Sequence, residues 1–94
     1  QYPLADTWVW NYNETCCINR GLKDVVIDYS EDGSTWIELG SFQWPEASGS
    51  SDYTGFAGPN FGGICARYVL ITANSNWGSP GGYGLAEIKF NIAN

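Results

Sequence analysis

Apolar and polar residues alternate along short stretches of this chain, and helical spacing is nearly absent. The clearest alternation runs over residues 85–92, where Ala86, Ile88, Phe90 and Ile92 share one face and polar residues take the other. Four further stretches are rich in β-branched and aromatic residues, which favour strands. They are residues 7–12, 24–29, 35–39 and 66–72. The pattern predicts an all-β domain, with the last of these four stretches as a central strand.

Turn signals separate these predicted strands. The run Ser30-Glu31-Asp32-Gly33-Ser34 joins the second and third, and its Asp-Gly step is typical of a tight turn because glycine accepts a positive φ. Residues 45–63 are rich in Ser, Gly and Pro and are predicted to form a loop with a short strand at 53–56. Residues 74–84 form a second predicted loop, which carries Trp77 and Tyr83.

Aromatic residues are numerous for a chain of 94 residues, which is long enough for one domain over residues 1–94. Five Trp, six Tyr and four Phe exceed what a small core can hold, so some rings are expected at the surface, where they can bind a ligand. Rings on predicted strands are expected in the core, and the pattern does not place Phe42 or Trp44. The strand rings are Trp8, Trp10, Trp36, Tyr68 and Phe90.

Charge and composition exclude several classes of function. The net charge is −6 with only four basic residues, so neither nucleic acid nor anionic lipid is an expected partner. No run of 18 apolar residues exists that could insert into a membrane. The chain has no His, and no opposed pair stands out among its ten carboxylates, so we expect that it is not an enzyme. A neutral ligand such as a sugar fits this composition.

The three cysteines leave several arrangements open. Cys16 and Cys17 are adjacent, and Cys65 stands alone beside two glycines. The adjacent pair can be reduced, can bond to each other, or can contribute one sulfur to a bridge with Cys65, and a long-range bridge is the better general expectation. An unpaired Cys65 is expected to be a buried thiol. Any bridge indicates an oxidising, extracellular environment.

Three segments together resemble coagulation factor V/VIII type C domains, which are also called discoidin domains. They are residues 26–36 with their Ser-Glu-Asp-Gly-Ser-Thr-Trp run, residues 66–71 (Ala-Arg-Tyr-Val-Leu-Ile) and residues 84–90 (Gly-Leu-Ala-Glu-Ile-Lys-Phe). The resemblance implies a discoidin-like (galactose-binding-like) jelly-roll β-sandwich, secreted as a module of a larger protein. It also implies truncation at the N-terminus, because the family has additional strands before this segment. Either the first residues of the chain partly substitute for those strands, or a second copy of the chain covers the exposed strand edges.

Within that family, Cys16-Cys17-Ile18-Asn19-Arg20 resembles the sugar site of eel-type fucolectins. This resemblance implies a disulfide between Cys16 and Cys17 against which a sugar rests, with Arg20 donating to its hydroxyls. Asn13 stands where that family has a second arginine, and Asn11 begins the same loop. The family also places aromatic rings in the loop before the closing strand, here Trp77 and Tyr83, with Trp77 the better candidate for stacking.

The resemblance therefore implies a non-catalytic carbohydrate-binding module, related to family 32 modules, for a glycan or monosaccharide such as fucose or galactose. Protein adhesion is the alternative, since an aromatic surface suits both functions. No cofactor is required. Glu87 matches a family position that often joins a structural calcium site, although calcium needs six to eight oxygens.

Overall fold

The computed structural model describes residues 2–93, which form two antiparallel sheets packed as a β-sandwich. One short 3₁₀ helix, Ile18–Arg20, is the helical element of this region. No helix among residues 2–93 is long and apolar enough to cross a membrane. The strands are β1 (Tyr2–Asn11), β2 (Asp24–Ser30), β3 (Ile37–Gln43), β4 (Phe56–Ala57), β5 (Ile64–Ala66), β6 (Tyr68–Ala73) and β7 (Leu85–Ile92).

The first sheet is built around β1, which is ten residues long. One edge of β1 pairs with β7, and the other edge pairs with β5 near its start and with β4 near its end. The sequence pattern predicted that this strand begins at Thr7, but it begins at Tyr2, and residues 2–4 supply the pairing with β5. The start of β1 therefore lies between β5 and β7 in the sheet.

The second sheet has the order β3-β2-β6. The predicted hairpin is confirmed as β2 and β3, although β3 begins at Ile37 and continues to Gln43. The prediction that residues 66–72 form a central strand is wrong, because β6 pairs with no described strand other than β2 and so lies at an edge. Central position belongs to β2, whose Val25 and Ile27 are each 1% exposed.

Apolar side chains from both sheets meet in one core, and Phe61 joins the two sides. Its ring centroid lies 6.4 Å from that of Tyr29 in the second sheet and 6.1 Å from that of Phe90 in the first. Phe61 is 1% exposed although it belongs to no strand. Burial of one such side chain stabilises a fold by about 1.5–3 kcal/mol, so this loop residue contributes to holding the two sheets together.

Four of the five rings expected in the core lie outside it, and among them Trp10 is half-exposed. Trp8, Trp36 and Tyr68 are 38%, 42% and 44% exposed. Trp36 precedes β3 and packs against Tyr68 on the edge strand β6, with ring centroids 6.4 Å apart. The ring that fills the core is Trp44, which is 2% exposed and which the sequence pattern did not place.

The turn between β2 and β3 is closed by hydrogen bonds to Asp32. Its carboxylate accepts from the N–H groups of Thr35 and Ser34, each at 2.8 Å, and from the Ser30 hydroxyl at 3.0 Å. These bonds favour the charged form and lower the pKa of Asp32 from 3.8 to about 2. Gly33 adopts φ +81°, as the Asp-Gly step predicts.

The edges of β6 and β7 frame an open apolar groove of about 450 Å³ between the sheets. Ile88 and Phe90 face inward as predicted, but Ala86 lies beside a bulge in the β1–β7 pairing and is exposed. Ile92 and Tyr2, which also line the groove, are 54% and 62% exposed. The sandwich is therefore open along this side.

Candidate functional site

Two loops meet at one end of the sandwich, and we call this end the rim. The first loop spans residues 12–23 and the second spans residues 74–84. The N–H of Gly84 donates to the carbonyl of Arg20 at 2.8 Å, and the N–H of Trp77 donates to the carbonyl of Gly21 at 3.2 Å. An isolated bridge also pairs Leu22 with Asn76. These backbone contacts fix the two loops side by side.

A disulfide joins Cys16 to Cys17 on the rim, and their Cα atoms lie 3.8 Å apart. The vicinal pairing implied by the resemblance is confirmed, and a bridge to Cys65 is excluded because Cys65 is a free thiol. Cys65 is half-buried in β5, so the expectation of a fully buried thiol was too strong. Cys16 is exposed and Cys17 half-exposed, so the disulfide can be reached from solvent.

Arg20 follows the disulfide by one turn of 3₁₀ helix. Its N–H donates to the carbonyl of Cys17 at 3.0 Å, which closes that turn. The side chain of Arg20 is exposed, and within residues 2–93 its guanidinium forms no hydrogen bond or ion pair. Five N–H donors are therefore free to bind a ligand beside the disulfide.

Asn13 holds a neighbouring loop with part of its amide. Its Oδ1 accepts from the N–H of Gly49 at 2.7 Å, and its Nδ2 donates to the carbonyl of Ser50 at 2.8 Å. An amide has two donors and two acceptor lone pairs, so one of each remains for a ligand. Asn13 is half-buried and is thus both a loop anchor and an available polar group.

Asn11 is placed inside the domain, which corrects the expectation that it contacts sugar. It is 0% exposed, and its amide forms four hydrogen bonds. Nδ2 donates to the carbonyls of Leu22 and Pro45, while Oδ1 accepts from the N–H groups of Tyr12 and Leu22. All the hydrogen-bonding capacity of the amide is used. Asn11 supports the rim from below and does not face it.

The two aromatic rings of the second loop differ in availability. Trp77 is half-buried, its Nε1 donates to the carbonyl of Trp44 at 2.9 Å, and the Nζ of Lys23 lies 4.9 Å from its ring centroid. One face of that ring is therefore occupied by a cation. Tyr83 is 57% exposed and directly precedes Gly84, which is bonded to Arg20. Tyr83 replaces Trp77 as the better candidate for stacking on a ligand.

Glu87 lies on β7 and is exposed. No group of three or more Cys, Asp or Glu side chains that could hold a metal ion occurs in the described part of the chain. The calcium site suggested by the resemblance stays a prediction. Glu87 instead lines a cleft with Trp10, Asn13, Tyr53 and Ala86, which sequence reasoning did not identify.

Comparisons of the chain with protein-family models, with curated proteins and with solved structures find no match. The fold and the rim by themselves define an all-β domain of two antiparallel sheets. A vicinal disulfide lies at one end of it, followed by an arginine whose guanidinium has no partner among residues 2–93.

Proposed function

We propose that this chain is a non-catalytic carbohydrate-binding module that recognises a neutral sugar, such as fucose or galactose, at the rim. The observation that carries this proposal is the exposed Cys16–Cys17 disulfide, one 3₁₀ turn from the unpaired guanidinium of Arg20. The disulfide offers an apolar surface and the guanidinium offers several N–H donors beside it. This combination suits a pyranose, which has apolar C–H faces and hydroxyl groups around its ring.

Each rim group has a distinct role in this proposal. The disulfide is a rigid platform for the C–H groups of the sugar, Arg20 donates to two neighbouring hydroxyls, and Asn13 adds its remaining N–H. Tyr83 forms an aromatic wall. Because a disulfide between neighbouring residues has little freedom, the ordering cost of binding is small. A monosaccharide still makes few contacts, so we expect a Kd of about 0.1–1 mM, or about −4 to −5.5 kcal/mol.

The finer fold and the location follow the same proposal. The β2–β3 hairpin with its Asp-Gly turn and the closing strand β7 support a discoidin-like jelly roll. The disulfide supports an extracellular or secreted location, because such bonds persist in oxidising compartments. Binding through the disulfide, arginine and tyrosine requires no cofactor, and calcium at Glu87 would have a structural role.

The substitution Arg20→Ala tests the rim. A glycan array first ranks sugars for the parent chain, and two-dimensional NMR titration with L-fucose and D-galactose then measures affinity in the millimolar range. Loss of a hydrogen bond to a charged group costs about 1.5–3 kcal/mol, so the variant should show no measurable binding. Arg67→Ala is the matched control, because Arg67 is exposed and lies beside the start of β6, away from the rim. A folded Arg20→Ala variant that binds sugar like the parent contradicts the proposal.

A further inference from the structure

The outer face of β1 carries two tryptophans that the core does not use. Val9 is 0% exposed and points into the core, so its neighbours Trp8 and Trp10 point to the opposite face. Residues two apart on a strand are separated by about 6.8 Å, which places the two indoles in one row. Trp8 is 38% exposed and Trp10 is half-exposed. This sheet face therefore presents an aromatic row to solvent.

The segment 53–55 packs against both indoles from one side and hydrogen-bonds to one of them. The Trp8 Nε1 donates to the carbonyl of Thr54 at 2.7 Å. Gly55 adopts φ +82°, and a Cβ there would lie 2.7 Å from the Trp8 Nε1 and 3.1 Å from the Trp10 Cδ1. Only glycine allows this close approach. The Trp8 ring is therefore held before any ligand arrives, and the Trp10 ring packs against the same segment, which lowers the cost of binding.

A cleft of about 280 Å³ opens beside Trp10, with Tyr53, Asn13, Ala86 and Glu87 as its other walls. The β1–β7 register places Glu87 directly opposite Trp10, where Cβ atoms are about 4.5–5.5 Å apart. The carboxylate of Glu87 is exposed and has no hydrogen bond or ion pair within residues 2–93. The cleft thus combines an indole face with unpaired acceptor oxygens.

Two backbone-anchored groups complete the cleft. The hydroxyl of Tyr53 accepts from the N–H of Asn11 at 3.3 Å, which ties the Tyr53 ring to the end of β1. Asn13 keeps one N–H and one lone pair beyond its bonds to Gly49 and Ser50. Asn13 also belongs to the loop that leads to the disulfide, so the cleft and the rim share one segment of chain.

We propose that this cleft is a second saccharide subsite, which binds an inner pyranose unit of a neutral oligosaccharide whose terminal sugar lies at the rim. The C–H face of the inner sugar stacks on Trp10, its hydroxyls donate to Glu87 and to the remaining lone pair of the Asn13 Oδ1, and a further unit reaches Trp8. The role of an inner unit rests on the proposed function of the rim, whereas stacking on Trp10 does not.

A cationic ligand is less suited to this face than a sugar. Aromatic rings next to a carboxylate can also bind a quaternary ammonium group. However, the register places Lys89 directly opposite Trp8, so the row already carries an ammonium of its own. A methylated ammonium group also offers no hydroxyl to the free lone pair of Asn13. We therefore commit to a saccharide and treat choline as a test ligand.

The experiment compares D-galactose with lacto-N-neotetraose, a neutral tetrasaccharide that ends in galactose, and L-fucose with 2′-fucosyllactose. NMR follows the indole N–H signals. We expect the oligosaccharide of at least one pair to bind about tenfold or more tighter than its monosaccharide and to shift the Trp10 indole signal. Trp10→Ala should reduce oligosaccharide affinity to the monosaccharide level and leave monosaccharide affinity unchanged.

Glu87→Gln replaces an exposed side chain by one of nearly the same shape, and it should weaken oligosaccharide binding about three- to tenfold. This variant tests the subsite even if Trp10→Ala does not fold. Trp36→Ala is the matched control, because it removes an exposed tryptophan beside the β2–β3 turn and should change neither affinity. The subsite is refuted if both oligosaccharides bind like their monosaccharides, if Trp36→Ala matches Trp10→Ala, or if choline alone shifts the Trp10 signal. Oligosaccharide binding that survives Arg20→Ala but not Trp10→Ala would refute the rim and retain the subsite.

Discussion

The replacement Asn11→Ala is expected to remove a large share of the stability of the domain. Asn11 lies at the end of β1, and its amide bonds to Leu22 before β2 and to Pro45 after β3. It therefore connects the first sheet to both ends of the β2–β3 hairpin. Alanine removes the two N–H donors and the acceptor oxygen of the amide. No other group of the domain then bonds to their four backbone partners in its place.

The magnitude follows from the burial of those partners. Leu22 is 6% exposed, so its N–H and C=O would both remain buried without a partner, at about 1–3 kcal/mol each. Tyr12 is half-exposed and Pro45 is exposed, so water can replace the lost bond at each. We expect a loss of about 2–6 kcal/mol. The free energy of unfolding of a domain of this size is about 5–14 kcal/mol, so part of the variant population should be unfolded.

Urea unfolding, followed by tryptophan fluorescence without reductant, measures this loss with the disulfide intact. Asn11→Asp keeps the side-chain size and the acceptor oxygens but has no N–H donors, and it should be at least as destabilising at neutral pH. Asn19→Ala, an exposed asparagine in the 3₁₀ helix, is the control and should change stability by less than about 0.5 kcal/mol. An Asn11→Ala variant within about 1 kcal/mol of the parent, with an unchanged urea slope, would refute this reasoning.

Three further predictions concern stability and assembly. Trp44→Ala should cost about 3–5 kcal/mol in urea unfolding because its ring is 2% exposed, whereas Trp36→Ala should cost about 1 kcal/mol, and the reverse order would contradict the assignment of the core. The pKa of Asp32 is lowered to about 2, so its contribution to stability is complete above the unfolded value of 3.8 and is lost as pH falls through about 2. Asp32→Asn should therefore show a smaller fall in Tm than the parent between about pH 5 and pH 2. If Tm falls equally with pH in both proteins, the Asp32 carboxylate does not stabilise the turn. The parent should self-associate through the open edges of β6 and β7 in sedimentation experiments, and Ile92→Lys should weaken this association; a parent that stays monomeric at about 1 mM would exclude it.

Local signals in the sequence predicted the hairpin and the closing strand. The β2–β3 hairpin depends on one Asp-Gly step between two apolar runs, and β7 depends on strict alternation, so neither needs knowledge of distant residues. The vicinal disulfide followed from the Cys-Cys-x-x-Arg spacing through the family resemblance alone. These features are set by residues within a few positions of one another.

Features that depend on distant parts of the chain were missed. The alternation around Val9 shows that Trp8 and Trp10 share a face, but which face is inward depends on the partner sheet. The burial of Asn11 depends on carbonyls 11 and 34 positions away along the chain. The central position of β2 likewise depends on its pairing with β6, about forty residues later. The spacing of apolar residues within a short stretch of sequence does not show which distant strands or carbonyls that stretch will contact.

The pairing of β1 has a consequence for the order in which the domain folds. Every strand that pairs with β1 lies at residue 56 or later, and its longest partner, β7, ends at Ile92. The β2–β3 hairpin needs only local contacts and can form early, whereas closure of the loop from β1 to β7 carries a larger entropy cost. Of these strands, β1 leaves the ribosome first and stays without a pairing strand for the longest time. Its apolar and aromatic residues would be exposed during that time, so chaperone binding during synthesis should concentrate on residues 2–11.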